Sequence, residues 1–165
     1  IETIKKKVIN LSKTNVDFIK IGFFFDNKKI KTLKNLKNFV KNKKIIAVLF
    51  ADNKPSIKII REIKRARFDG ILIDTKNKNN GNLRNYLNIR KLENFIKVSK
   101  KENLSIGLAG SLNINDINPL LKLEPDYLGF RGALCLEKKR KDNISENLLN
   151  RVISKFRFFS FQKAI

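Results

Sequence analysis

Residues 104–134 read LSIGLAGSLNINDINPLLKLEPDYLGFRGAL, and the way apolar runs meet glycine turns in this stretch decides the fold class. Leu104 to Ala109 and Asp126 to Phe130 each have the length of a buried strand. Each stops at a polar turn containing glycine, Gly110-Ser111 in one case and Arg131-Gly132 in the other. Between them Asn113 to Lys122 predicts a helix, interrupted at Pro119. A strand, a helix and a second strand in this order form a βαβ unit, whose parallel strands bring both turns to the same end of a sheet. In a (β/α)₈ barrel the turns after the last two strands are the usual phosphate cradle, because glycine lets backbone N–H groups approach the oxygens and helix N-termini add positive potential. Gly110, Ser111, Arg131 and Gly132 are therefore the candidate phosphate-binding residues: the glycines for close approach, the hydroxyl as a donor and the guanidinium for a charge-assisted contact.

Outward from this unit the same alternation continues. Ile4 to Lys13 suits a short amphipathic helix. Val16 to Phe25 reads as a buried strand followed by a helix over 31–40, and Lys44 to Phe50 is the next strand, ending at Ala51-Asp52-Asn53. Pro55 is placed to start a helix reaching Arg67, and Gly70 to Ile73 is a short strand ending at Asp74. A loop rich in Asn and Lys runs from Thr75 to Gly81 and leads, past a polar stretch that holds Tyr86, to a longer helix over Ile89 to Lys101. After the opening unit come a basic loop, Glu137 to Asn143, and a last helix from Ser145, a candidate N-cap, to Lys155. The tail RFFSFQKAI has too little pattern to assign. The count is five βα units with a helix in front, in one domain spanning residues 1–165.

Composition narrows the chemistry. There is no histidine, which excludes His-based triads, His general bases and His-containing zinc sites, and leaves Lys, Asp and Arg to carry any reaction. The one cysteine, Cys135, can form no intrachain disulfide, fits a reducing cytoplasm and reads as a small packing residue. A net charge of +22, from 37 Lys+Arg against 15 Asp+Glu, would suit a polyanion partner. The lysines are spread over every predicted helix and loop alongside abundant Asn and Ile, which fits compositional drift better than a selected nucleic-acid surface. No apolar run approaches the roughly 20 residues of a membrane span, so a soluble protein without membrane partners is expected.

FIKIGF (18–23), IDTKNKNNGNL (73–83), GLAGSL (107–112) and PDYLGFRGALC (125–135) follow one another in unbroken order. Together they resemble the (5-formylfuran-3-yl)methyl phosphate synthases. The resemblance covers about Val8 to Val152 and corresponds to the C-terminal two-thirds of that family. It implies an α/β fold, the TIM (β/α)₈ barrel, here an incomplete sector holding strands 4 to 8, with Val16 to Gly22 matching the fourth and GFRGA the eighth. The first three strands are then expected to lie outside these residues, together with the Asp-x-Lys-Asn-Pro motif that carries the family's Schiff-base lysine. Asn53-Lys54-Pro55 echoes the tail of that motif but follows the wrong strand. The implied reaction condenses two molecules of glyceraldehyde 3-phosphate toward methanofuran-type one-carbon carriers, as a carbon–oxygen lyase.

Amines and carboxylates suffice for such chemistry, so no cofactor or metal is expected, and the implied partner is a small phosphorylated aldehyde. Lys20 matches the family's proton acceptor. By the strand period it shares one face with Phe18 and Gly22 while Ile19 and Ile21 face the other, so it points into the barrel if the isoleucines meet the helices. Asp74, at a strand end on the barrel mouth, is the expected partner of Lys20; its bland alternative is an Asp that bonds its own turn. Lys78 completes the family's Asp-Thr-x-x-Lys pattern, although Lys76 and Lys78 both stand in a lysine-rich loop. These residues alone are expected to be inactive and to expose an apolar inner sheet face, whereas the complete protein is expected to be a homo-oligomer. Two other classes stay open: a basic nucleic-acid-binding module and a non-catalytic barrel remnant.

Overall fold

In the computed structural model, which describes residues 2–23, 30, 33–40, 42–78, 80–138 and 141–163, the apolar runs become five parallel strands. These are β1 (Phe18–Phe23), β2 (Lys44–Phe50), β3 (Gly70–Asp74), β4 (Ser105–Leu108) and β5 (Tyr127–Leu128). Each pairs with the next in sequence, giving the order β1-β2-β3-β4-β5. Parallel neighbours in sequence order are the pattern of a (β/α)₈ wall, and five of them make an incomplete sector of that barrel.

The two-sided burial of the sheet explains its sequence. Ile45, Ala47 and Leu49 of β2 join the main core beneath the helices, whereas Ile46 and Val48 join Leu72 and Ala109 in a second cluster on the opposite, inner face. A strand covered on both sides reads as a continuous apolar run. β1 instead alternates: Ile19 and Ile21 are buried, Lys20 and Gly22 are not. Lys20 stands opposite Ile46 in the register, so its side chain belongs to the inner face. At the opposite end of the sheet the Asp69 carboxylate accepts from Lys37 Nζ at 2.5 Å and from the Ile45 N–H at 2.7 Å, which ties the starts of β2 and β3 together.

Among the described residues six α-helices accompany the strands: α1 (Glu2–Ser12), α2 (Ile59–Arg65), α3 (Leu83–Tyr86), α4 (Ile89–Lys101), α5 (Ile117–Leu121) and α6 (Glu146–Lys163). α4 buries Leu92, Phe95, Ile96 and Ser99, one stripe at helical spacing, and begins where the Asn88 side chain accepts from the Lys91 N–H at 3.0 Å. No helix among the described residues is long and apolar enough to cross a membrane.

Several expectations are corrected. Within 31–40 the described part is a turn and a 3-10 helix, Leu36–Phe39, that buries Leu36; residues 31 and 32 lie outside the described residues, as do 24 and 25 of the first predicted strand. α2 starts at Ile59 rather than Pro55, because Lys54 takes a left-handed φ of 47° after the 3-10 turn Ala51–Asn53 and the helix begins only where Ile59, Ile60 and Ile63 can be buried. Pro119 does not interrupt α5: it sits in the first turn, where a missing N–H costs no helical bond. Tyr86 lies in the one-turn helix α3, not in a loop, and its hydroxyl donates to the Asn80 carbonyl at 2.6 Å. The tail is helical as far as Lys163, and residues 139, 140, 164 and 165 lie outside the described residues. The inner face is also less open than expected: Ile46, Val48 and Leu72 are buried, with Phe50 and Tyr127 packed against them, while Phe18 stays 48% exposed.

Candidate active site

The turns after β3, β4 and β5 enclose a cavity of about 730 Å³. Lys20, Asp74, Lys78, Gly110, Ser111, Arg131 and Gly132 all line it, so the candidates drawn from four separate motifs converge on one space. Parallel register is the cause: Phe50 stands opposite Asp74 and Ile73 opposite Leu108, which brings the ends of neighbouring strands to one mouth.

Asp74 closes β3 and uses one oxygen twice. Oδ1 accepts the Thr75 N–H at 2.7 Å and also takes Lys78 Nζ in an ion pair, with side chains 24% and 23% exposed for Asp74 and Lys78. Lys78 Nζ lies 3.3 Å from Thr75 Oγ1 as well. The expected Lys20–Asp74 pair is therefore corrected to Lys78–Asp74. Register explains it: Lys20 is level with Ile46 and Asp74 with Phe50, four positions further along β2, beyond a lysine's reach, whereas the loop after Asp74 folds Lys78 straight back. Lys20 lines the same cavity with no carboxylate partner among the described residues.

The turn after β4 is built for close approach. Gly110 has φ of 113°, and a Cβ there would stand 2.9 Å from Thr75 Cγ2. Its carbonyl accepts the Leu83 N–H at 2.9 Å. Ser111 follows at φ of 51°, a left-handed conformation that costs a non-glycine residue about 1 kcal/mol. Its hydroxyl donates to the Lys78 carbonyl at 3.3 Å, so it links the two turns. After β5, Gly132 opens a 3-10 turn, and Arg131 donates from Nη2 to the Asp142 carbonyl at 2.9 Å, which fixes the guanidinium beside the mouth. Among the described residues no acceptor takes the N–H of Ser111, Leu112, Gly132 or Ala133, and all four residues line the cavity. Free N–H groups beside cationic side chains are what a phosphate needs.

Four participants were not singled out from sequence. Tyr127 lines the cavity with Gly129 and Arg131, two and four residues further on, and its ring packs over Gly107, where a Cβ would come within 2.0 Å of the ring. Burial, with the Asp126 charge beside it, pushes the Tyr127 phenol up to about 12. Asp116, with its side chain 3% exposed, accepts from Arg84 Nη1 at 3.1 Å, the Asn113 N–H at 2.9 Å and Asn82 Nδ2 at 3.3 Å, and so joins two cavity walls. Asn82 and Asn113 line the cavity themselves, each capping the turn that follows it. The parity of Tyr127 with Arg131 is a signal the sequence did contain. Cys135 is buried, its thiol donating toward the Arg131 carbonyl at 3.4 Å, as a packing residue would.

Comparison with known proteins bears on this geometry. A family model described as 4-HFC-P synthase matches residues 1–153. The chain is 26% identical over 145 residues to a (5-formylfuran-3-yl)methyl phosphate synthase of Archaeoglobus fulgidus, covering 81% of this chain and 61% of that one. It is also 26% identical over 164 residues to the synthase of Methanococcus maripaludis strain C6, covering 92% and 70%. A Methylorubrum extorquens relative is 38% identical over 98 residues, or 59% of this chain and 42% of its own length. The chain thus spans between 42% and 70% of these three relatives. Among solved structures, KGPDC from Streptococcus mutans superposes with a TM-score of 0.66 at 9% identity, covering 94% of this chain and 68% of that one. Phosphoribosyl anthranilate isomerase from Thermus thermophilus gives 0.62 at 13%, covering 93% and 67%. At such identities the likeness speaks for the fold alone.

Proposed function

This chain belongs to the 4-HFC-P synthase family, and from that premise we propose that its cavity binds a phosphorylated aldehyde and carries proton transfers in the synthesis of (5-formylfuran-3-yl)methyl phosphate from two molecules of glyceraldehyde 3-phosphate, toward methanofuran-type carriers. The observation that carries this reading is the convergence of Lys20, Asp74 and Lys78 with the Gly110-Ser111 and Arg131-Gly132 turns on one cavity.

Atom balance defines the work. Two triose phosphates become one furan aldehyde phosphate by forming a carbon–carbon bond and losing one phosphate and two waters. Protons must therefore leave carbon and be delivered to departing oxygens. Lys20, without a carboxylate partner among the described residues, is assigned the removal of a proton beside the carbonyl. Lys78, an ammonium paired with Asp74, is assigned delivery to a leaving oxygen or an oxyanion, since an ion-paired ammonium is a donor and not a nucleophile. The N–H groups of Ser111, Leu112, Gly132 and Ala133, which meet no acceptor among the described residues, with Arg131, hold the phosphate. An Asp-x-Lys-Asn-Pro lysine, which the family resemblance makes the electrophile-forming group, does not occur in these 165 residues. On this reading these residues bind substrate and move protons, and by themselves do not complete turnover.

Titration of the ¹⁵N-labelled chain with inorganic phosphate and then glyceraldehyde 3-phosphate tests the assignment. Amide shifts should concentrate at Ser111, Leu112, Gly132 and Ala133. Shifts confined to the surface lysines would contradict it.

A further inference from the structure

The cavity lining does not include Asp52, yet Asp52 bears directly on its geometry. It sits in the 3-10 turn after β2, one strand away from Lys78. Its Oδ2 accepts the Lys76 N–H at 3.0 Å and the Asn77 N–H at 2.9 Å, and Oδ1 shares the Lys76 N–H at 3.0 Å. We propose that Asp52 is the positioning residue of Lys78, clamping the two peptide groups that precede it and so fixing where its ammonium meets Asp74.

Lys78 is the residue after Asn77, so holding the N–H groups of 76 and 77 sets the direction in which the chain enters position 78. The segment Thr75 to Gly81 is polar, and only Thr75 of its described members is fully buried, so apolar packing does little to hold its middle. A carboxylate accepting backbone N–H groups supplies charge-assisted bonds in its place. From the other side the Ser111 hydroxyl holds the Lys78 carbonyl, so residues from the turns after β2 and β4 grip the backbone of the intervening turn. Although burial alone would raise it, the N–H groups of Asn77, Lys76 and Asp52 itself, with the Lys78 ammonium beyond, hold the Asp52 carboxyl below its usual range. It therefore stays an acceptor at neutral pH. A misplacement of about 1 Å in a reacting group can cost on the order of 100-fold in rate, which is what such a clamp guards against.

This inference rests on the proposed role of Lys78, and the test separates the two. In the protein that carries this chain, Asp52→Ala should lower kcat by about 10- to 100-fold while KM changes by less than about threefold. Asp52→Asn, which keeps a carbonyl acceptor in the same place, should recover to within about fivefold of the parent. Amide exchange at Lys76 and Asn77 should quicken at least about tenfold in Asp52→Ala with the Ile71 amide unchanged. Unchanged exchange at Lys76 and Asn77 overturns the clamp whatever the activities are. Lys78→Ala assayed alongside distinguishes the failures: an inactive Lys78→Ala with a fully active Asp52→Ala overturns the positioning role, whereas an active Lys78→Ala overturns the proposed role of Lys78 and leaves the exchange result to judge the clamp.

Discussion

Lys78 Nζ is ion-paired with Asp74 Oδ1 across four residues of the turn that leaves β3, and the same oxygen accepts the Thr75 N–H. One carboxylate thus shapes its own turn and fixes the lysine. Removing either partner should cost more than a surface ion pair, because both side chains are three-quarters buried at the cavity wall. Asp74→Asn keeps an acceptor for Thr75 but weakens the hold on the ammonium. Steady-state kinetics should show kcat falling by about 10-fold or more in Asp74→Asn and further in Asp74→Ala, with phosphate affinity nearly unchanged.

Gly110 has no room for a side chain. An alanine there would combine a φ of 113° with a Cβ 2.9 Å from Thr75 Cγ2 and 3.0 Å from its backbone nitrogen. Gly110→Ala should therefore destabilise the fold by about 1–3 kcal/mol. Because the displaced turn carries the Ser111 and Leu112 N–H groups, inorganic phosphate should also bind more weakly. Thermal denaturation and a phosphate titration of one preparation check both.

Tyr127 lines the cavity and its ring packs over Gly107. Gly107→Ala sets a Cβ 2.0 Å from the ring, so the ring must swing into the cavity, and KM for a triose phosphate should rise. The Tyr127 hydroxyl is buried without a partner among the described residues, so Tyr127→Phe should leave stability unchanged or raise it by about 1 kcal/mol. The phenol's raised value, about 12 against 10 unfolded, means the folded state holds its proton more tightly. Its contribution to stability is then complete below pH 10 and declines as pH rises from 10 to 12, a window in which Tyr127→Phe should lose less stability than the parent.

Asp116 holds Arg84, Asn82 and the Asn113 N–H at once. In Asp116→Ala the Arg84 side chain, 40% exposed, can turn to water, but the Asn113 N–H and the Asn82 amide lose their acceptor inside the wall. The loss should be about 1–3 kcal/mol, measured by urea denaturation, and Arg84→Ala should cost less than Asp116→Ala.

What could be read from sequence follows from the range of the forces involved. β2 at Lys44–Phe50 and α4 at Ile89–Lys101 match their predicted bounds, since burial on two faces and a helical stripe are local patterns. The inward direction of Lys20 followed from the strand period alone. Its pairing did not, because the offset between Lys20 and Asp74 depends on register across three strands. β5 keeps only two formal strand residues, although Asp126 and Gly129 donate to Ile106 and Leu108 and extend the pairing in the direction the apolar run suggested. Asp116 meets the Asn113 N–H only three positions away, a local capping pattern, but it reaches Arg84 and Asn82 across 32 and 34 positions and Asp52 reaches Lys76 and Asn77 across 24 and 25, distances at which no local sequence pattern operates.

The claim that Lys20 and Lys78 move protons for a phosphate held at the Ser111 and Gly132 turns is tested most directly by single-turnover furan formation from glyceraldehyde 3-phosphate. The assay compares Lys20→Ala and Lys78→Ala in the protein that carries this chain, with phosphate affinity measured on the same samples. The account predicts that each substitution lowers the rate of furan appearance by about 100-fold or more while the phosphate dissociation constant changes by less than about threefold. Furan formation at the parental rate in either variant, or a loss of phosphate affinity as large as the loss of rate, would contradict it.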